Sequence, residues 1–90
     1  MVKIDVIEMR NIQKKMIRML KNKGKYNGAH TESIHLRNCV PRHLRGTKIV
    51  DKAISDLFRK GILMNKKSTG ENHCSLDNSK LQEISEIENG

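Results

Sequence analysis

The sequence predicts a small, mainly α-helical domain carrying one β-hairpin, on three observations. From Thr47 to Lys60, apolar residues at Val50, Ala53, Ile54 and Leu57 follow the i, i+3, i+4, i+7 spacing that puts them on one stripe of a helix. Directly after it, Gly61 is followed by I-L-M-N-K-K, then S-T-G-E-N, then H-C-S-L, the pattern of strand, turn and strand. The chain has 90 residues, a length that buries one modest core and forms one domain. The expected layout is therefore a single domain over 1–90, with a three-helix and hairpin core at about 10–77 and a C-terminal helix at about 78–88.

In chain order, residues 1–8 alternate loosely and fit either a short edge strand or the lead-in to a helix. From Arg10 to Lys23 the spacing of Ile12, Met16, Met19 and Leu20, with Ile17 beside them, predicts a first helix, and Gly24 is its stop. The basic residues Lys14, Lys15, Arg18 and Lys21 fall mostly off that stripe and form a solvated rim. G-K-Y-N-G at 24–28 is loop punctuation. Thr31 is placed to cap a short helix with Ile34 and Leu36 or Val40 turned inward and with His35 and Arg37 partly outward. Pro41 drives Val40 out of the helical region and closes that segment. P-R-H-L-R-G at 41–46 then makes the turn into the central helix.

Thr47 is the expected N-cap of the central helix and Gly61 its left-handed stop. Lys48, Lys52, Ser55 and Arg59 recur at i, i+4, i+7, i+11 and give that helix a second stripe, basic and polar. The hairpin sets Leu63–Lys67 against His73–Leu76, with Cys74 and Leu76, and Ile62 with Met64, on its packed face. In the last helix Leu81, Ile84 and Ile87 make the stripe, and Ser79 with Gln82 is placed for a capping box.

The formal net charge is +8, with a pI of about 9.8, and it is unevenly spread. Residues 11–60 hold 13 Lys or Arg against Glu32, Asp51 and Asp56, whereas residues 61–90 hold three Lys against five acidic residues. A positive field confined to the first two thirds of the chain favours a polyanionic partner. With only Tyr26 and Phe58 as aromatics, the chain lacks the rings of a single-strand stacking platform. Cys39 and Cys74 make no disulfide-scaffold pattern, and no signal peptide or membrane-length apolar run is present in the sequence. A reduced, cytoplasmic protein without membrane association is expected.

The order of elements from Ile12 to Ile84, with A-I-S-D-L-F-R-K-G-I-L at 53–63 and H-C-S-L-D at 73–77, resembles small prokaryotic, especially archaeal, winged helix-turn-helix DNA-binding proteins. The resemblance implies that the helix beginning near Thr47 enters a major groove and that the hairpin, residues 63–76, touches the neighbouring backbone. G-A-H-T-E at 28–32 and P-R-H-L-R-G at 41–46 are not demanded by that superfamily. On this reading the chain is a non-enzymatic double-stranded DNA binder and a transcriptional regulator. Thr47, Lys48, Lys52 and Ser55 are its base-contact candidates, and Arg42, Arg45, Arg59, Lys66 and Lys67 its phosphate-contact candidates. Asp51, beside the groove face, is expected to pair with Lys48 or to accept from a cytosine amino group. One small module makes few specific contacts, so a homodimer is expected, formed through the N-terminal segment or the last helix. The rival readings are an RNA-binding or ribosome-associated module and a protein-interaction module within a larger nucleic-acid machine.

His30, His35, Cys39 and His43 are spaced H-x4-H-x3-C-x3-H and are legitimate zinc ligand types. They lack the close cysteine pair of a zinc knuckle, so no cofactor is expected, and these four are the candidates if a metal binds. The same residues supply no oxyanion hole and no third orienting group for a Cys–His nucleophile, and no catalytic residue is assigned.

Overall fold

The computed structural model describes residues 6–68 and 70–89, with the side chains at 66–68 and 71 outside the description. Four α-helices pack with a small antiparallel sheet. The order is α1 (Val6–Asn22), β1 (Thr31–Glu32), α2 (Ile34–Arg37), α3 (Lys48–Arg59), β2 (Leu63–Ser68), β3 (Glu71–Leu76) and α4 (Leu81–Asn89), with 3-10 turns at Arg42–Leu44 and Asn78–Lys80.

The expected apolar stripes make the core. Ile12, Met16, Ile17 and Leu20 of α1 are buried against Val50, Ala53 and Leu57 of α3, with Leu36, Val40, Cys74, Leu76, Ile84 and Ile87 closing the cluster. Met19 and Ile54 are only partly buried at its edge. α1 begins at Val6, earlier than its apolar spacing predicts, so the lead-in reading holds for residues 6–8; residues 1–5 lie outside the described residues.

The end of α3 shows why Gly61 is needed. Its φ is +75°, and the amides of Gly61 and Ile62 donate to the carbonyls of Phe58 and Leu57 at 3.0 Å each. This paired closure satisfies two orphan carbonyls, and Ile62 packs back beside Leu57, both fully buried. The chain thereby turns directly into β2.

The hairpin forms where expected, but its register, Leu63 opposite Leu76 through Ser68 opposite Glu71, carries the strands into the expected 68–72 turn and puts the buried Leu63, not Met64, on the face of Leu76 and Cys74. Its sheet, however, has three strands in the order β1-β3-β2. Thr31, expected to cap a helix, instead pairs with Cys74, and Glu32 pairs with His73. β3 is thus the central strand, and Ser75 is buried although the alternation faced it outward. The Ser75 hydroxyl donates to the Asn27 carbonyl at 2.7 Å, so the 24–28 loop satisfies that burial.

Three local expectations are corrected. Ile34 is 62% exposed, because α2 is a single turn whose inward position is taken by Leu36. Leu81 is 51% exposed because α4 turns only Ile84 and Ile87 inward. The cap before α4 is Asp77, whose Oδ1 accepts from the Ser79 amide at 2.9 Å and the Ser79 hydroxyl at 2.7 Å. Those bonds hold the Asp77 carboxyl below its ordinary pKa. Ser79 therefore donates to a cap and does not form one with Gln82.

Candidate nucleic-acid interface

α3 has one buried and one exposed face, as its two stripes require. Val50, Ala53 and Leu57 are buried; Lys48, Lys52, Ser55 and Arg59 are exposed. Lys52, Ser55 and Arg59 line a shallow hollow together with Met9 of α1 and the edge of Asp56. The outward stripe is therefore continuous with the N-terminal half of α1.

The approach to α3 is built by two arginines. Arg37, the last residue of α2, donates to the Arg45 carbonyl at 2.6 Å and to Asp51 Oδ1 at 2.6 Å. Asp51 is thus paired with Arg37 and not with Lys48. Arg37 was expected only as an outward residue of a short helix; its reach across the turn is a tertiary effect that spacing does not carry. Arg45 in turn donates from Nε to the Val40 carbonyl at 3.1 Å. Part of its guanidinium is spent on the turn, whereas Arg42 is exposed.

Thr47 occupies the N-cap position with extended backbone, but its side chain makes no cap hydrogen bond. Its hydroxyl donates to the Leu44 carbonyl at 2.6 Å, closing the 3-10 turn behind it. The first free amides of α3 therefore lack a side-chain acceptor from Thr47, an arrangement that suits an anion. Lys66 and Lys67 lie on β2, flanking α3 in sequence, but their side chains lie outside the described residues.

A buried polar link fixes α3 on α1, and the sequence reading missed it. Gln13 is 1% exposed and donates through Nε2 to the Ala53 carbonyl and to Asp56 Oδ2, both at 3.0 Å. Arg59 and Lys60 meet the same carboxylate at 2.8 and 2.9 Å. Burial alone would raise the Asp56 pKa, but the bonds from Gln13, Lys60 and Arg59 outweigh it and hold the carboxyl at about 2. A signal was present: Gln13 lies three, four and seven residues before Met16, Ile17 and Leu20, on the stripe that faces the core.

The histidines and cysteines do not assemble in the way their spacing suggested. His30 Nδ1 lies 2.8 Å from His73 Nδ1, with the rings edge to face. His35 Nδ1 lies 2.8 Å from the Thr31 hydroxyl, the Cys39 thiol points to the His35 carbonyl at 3.8 Å, and His43 is exposed. Among the described residues no three His, Cys, Asp or Glu side chains converge on one point. Cys74 is buried and Cys39 half-buried, and burial pushes both thiols above their ordinary pKa.

Among the described residues no helix is long and apolar enough to cross a membrane. No protein-family model matches the chain, and neither a curated protein nor a solved structure matches it.

Proposed function

We propose that the chain is a non-enzymatic double-stranded DNA-binding protein of the winged helix-turn-helix type, acting as a transcriptional regulator. α3 lies in the major groove with Lys48, Lys52 and Ser55 at base edges. Arg42, Arg45, Arg59 and the β2–β3 hairpin with Lys66 and Lys67 meet phosphates on either side. The observation that carries this reading is the outward stripe of α3: Lys48, Lys52, Ser55 and Arg59 are all exposed on a helix whose other face is locked into the core. Lysine donates to guanine O6 and N7, and a helix held rigidly from behind presents such donors in fixed register. The exposed apolar residues Val6 and Ile7 on α1 and Leu81 on α4 support a homodimer.

The test is selection of bound fragments from a random duplex pool, followed by titration of the winner, a scrambled duplex and a structured RNA across a salt series. The expected result is an enriched motif, tighter binding to it than to RNA, and a log–log salt slope that shrinks by about one in Arg42→Ala. Arg42 is the better probe than Arg45, since its loss leaves the Arg45–Val40 bond of the turn intact. No enrichment together with tighter RNA binding overturns the DNA reading in favour of the RNA one.

A further inference from the structure

α1 carries a second basic surface that the reading above does not use. Lys15, Arg18, Asn22 and Lys23 surround a shallow hollow of about 380 Å³ whose floor is Met19 and Cys39. The position of these residues on the helix separates them from α3. With about 100° of rotation per residue, Arg18, Asn22 and Lys15 lie about 140–200° round from Gln13, the residue that bonds to α3. They therefore project from the side of α1 turned away from the α3 stripe.

The cations of this surface are not committed elsewhere. Lys15, Arg18 and Lys23 make no ion pair among the described residues. Lys21, by contrast, is paired with Glu88 at 2.7 Å and is excluded from the set. No acidic side chain lines the hollow. Lys23 and Lys15 also act on the Cys39 thiol, opposing the rise that burial causes, which is consistent with their closeness to the floor. The exposed large apolar residues, Val6, Ile7, Ile34 and Leu81, do not line it. A lipid surface would call for such residues beside the charge; a phosphate backbone calls only for cations and polar donors.

We propose that this face of α1 binds the phosphate backbone of a second nucleic-acid duplex, so that one protein bridges two duplexes, one on α3 and one on α1. The inference rests on the DNA-binding reading of α3. The body of α1, about 10–12 Å across with side chains, stands between the two faces. That thickness is about one Debye length at physiological salt, roughly 8–10 Å, so screening weakens the repulsion between the two backbones without removing it. The second contact is sequence-independent, because no base edge is read there.

The experiment captures a fluorescent duplex on an immobilised duplex of the same sequence, with the full-length protein as the only link, while anisotropy reports binding to a single duplex. Wild type is expected to capture the second duplex. The triple variant Lys15→Ala, Arg18→Ala, Lys23→Ala should keep single-duplex affinity within about twofold and lose capture by about tenfold or more. The charge-retaining variant Lys15→Arg, Lys23→Arg should keep both. Binding without capture by wild type overturns the inference and leaves the α3 reading standing, whereas failure to bind a single duplex overturns that reading and the inference with it. Capture that survives in the triple variant, capture lost only because light scattering shows a broken dimer, or binding of anionic phosphatidylserine vesicles in place of the second duplex each overturns it.

Discussion

Replacing Leu57 by Ala should destabilise the domain by about 2–5 kcal/mol, the usual cost of removing a large buried side chain and leaving a cavity. Leu57 is fully buried in the core cluster, and its carbonyl receives the Ile62 amide. Its side chain therefore packs α3 into the core, while its backbone closes the helix into β2. The backbone bond survives the substitution, so the loss measures packing. Ser55→Ala, two residues away on the exposed face, should stay within about 0.5 kcal/mol, as surface changes do. Urea unfolding of both variants decides it; a loss below about 0.5 kcal/mol for Leu57→Ala would place that side chain outside the core.

The second large effect concerns the Gln13–Asp56 link and has a pH signature. Gln13→Ala should cost about 1–3 kcal/mol, because it deprives a buried carboxylate of one of its donors. The Asp56 carboxyl is held at about 2 in the fold, below its unfolded value near 4. A depressed carboxyl adds stability that is fully present above the unfolded pKa and is lost as the pH falls through the folded one. The stabilisation, on the order of 2 kcal/mol, should therefore persist at pH 5 and fade between about pH 4 and 2. Unfolding of wild type and Asp56→Asn at pH 6 and pH 2.5 isolates it from the other carboxylates. The gap between the two proteins should narrow at the lower pH; a constant gap would mean that Asp56 is not held ionised by its partners.

The parts legible in the sequence are those set by local periodicity. α3 and its two stripes, the Gly61 stop and the presence of the hairpin follow from neighbours no more than a few residues apart; the hairpin's register, which pairs Met64 with Ser75, does not. The parts that were not legible depend on partners distant in the chain. Thr31 reads as a cap from its neighbours, but Cys74, 43 positions later, takes it as a strand partner. Gln13 reads as a gap in an apolar stripe until Ala53 and Asp56 supply acceptors. Arg37 reads as solvated until the turn brings Asp51 to it. At the candidate interface, the exposure of Lys48, Lys52 and Ser55 was legible because a helix with one buried face must present the other. The partial commitment of Arg45 to the Val40 carbonyl was not, since it arises from the shape of a turn.

The most direct test of the central claim is Lys52→Ala, titrated on the selected duplex and on a scrambled one across a salt series. Lys52 is exposed one turn beyond Lys48, in the middle of the outward stripe. A lysine at a base edge should cost about 1–3 kcal/mol of binding on the selected site when lost, and much less on the scrambled duplex. Equal weakening on both duplexes would contradict base reading by α3 and move Lys52 to the phosphate contacts; no change on either would remove α3 from the binding face.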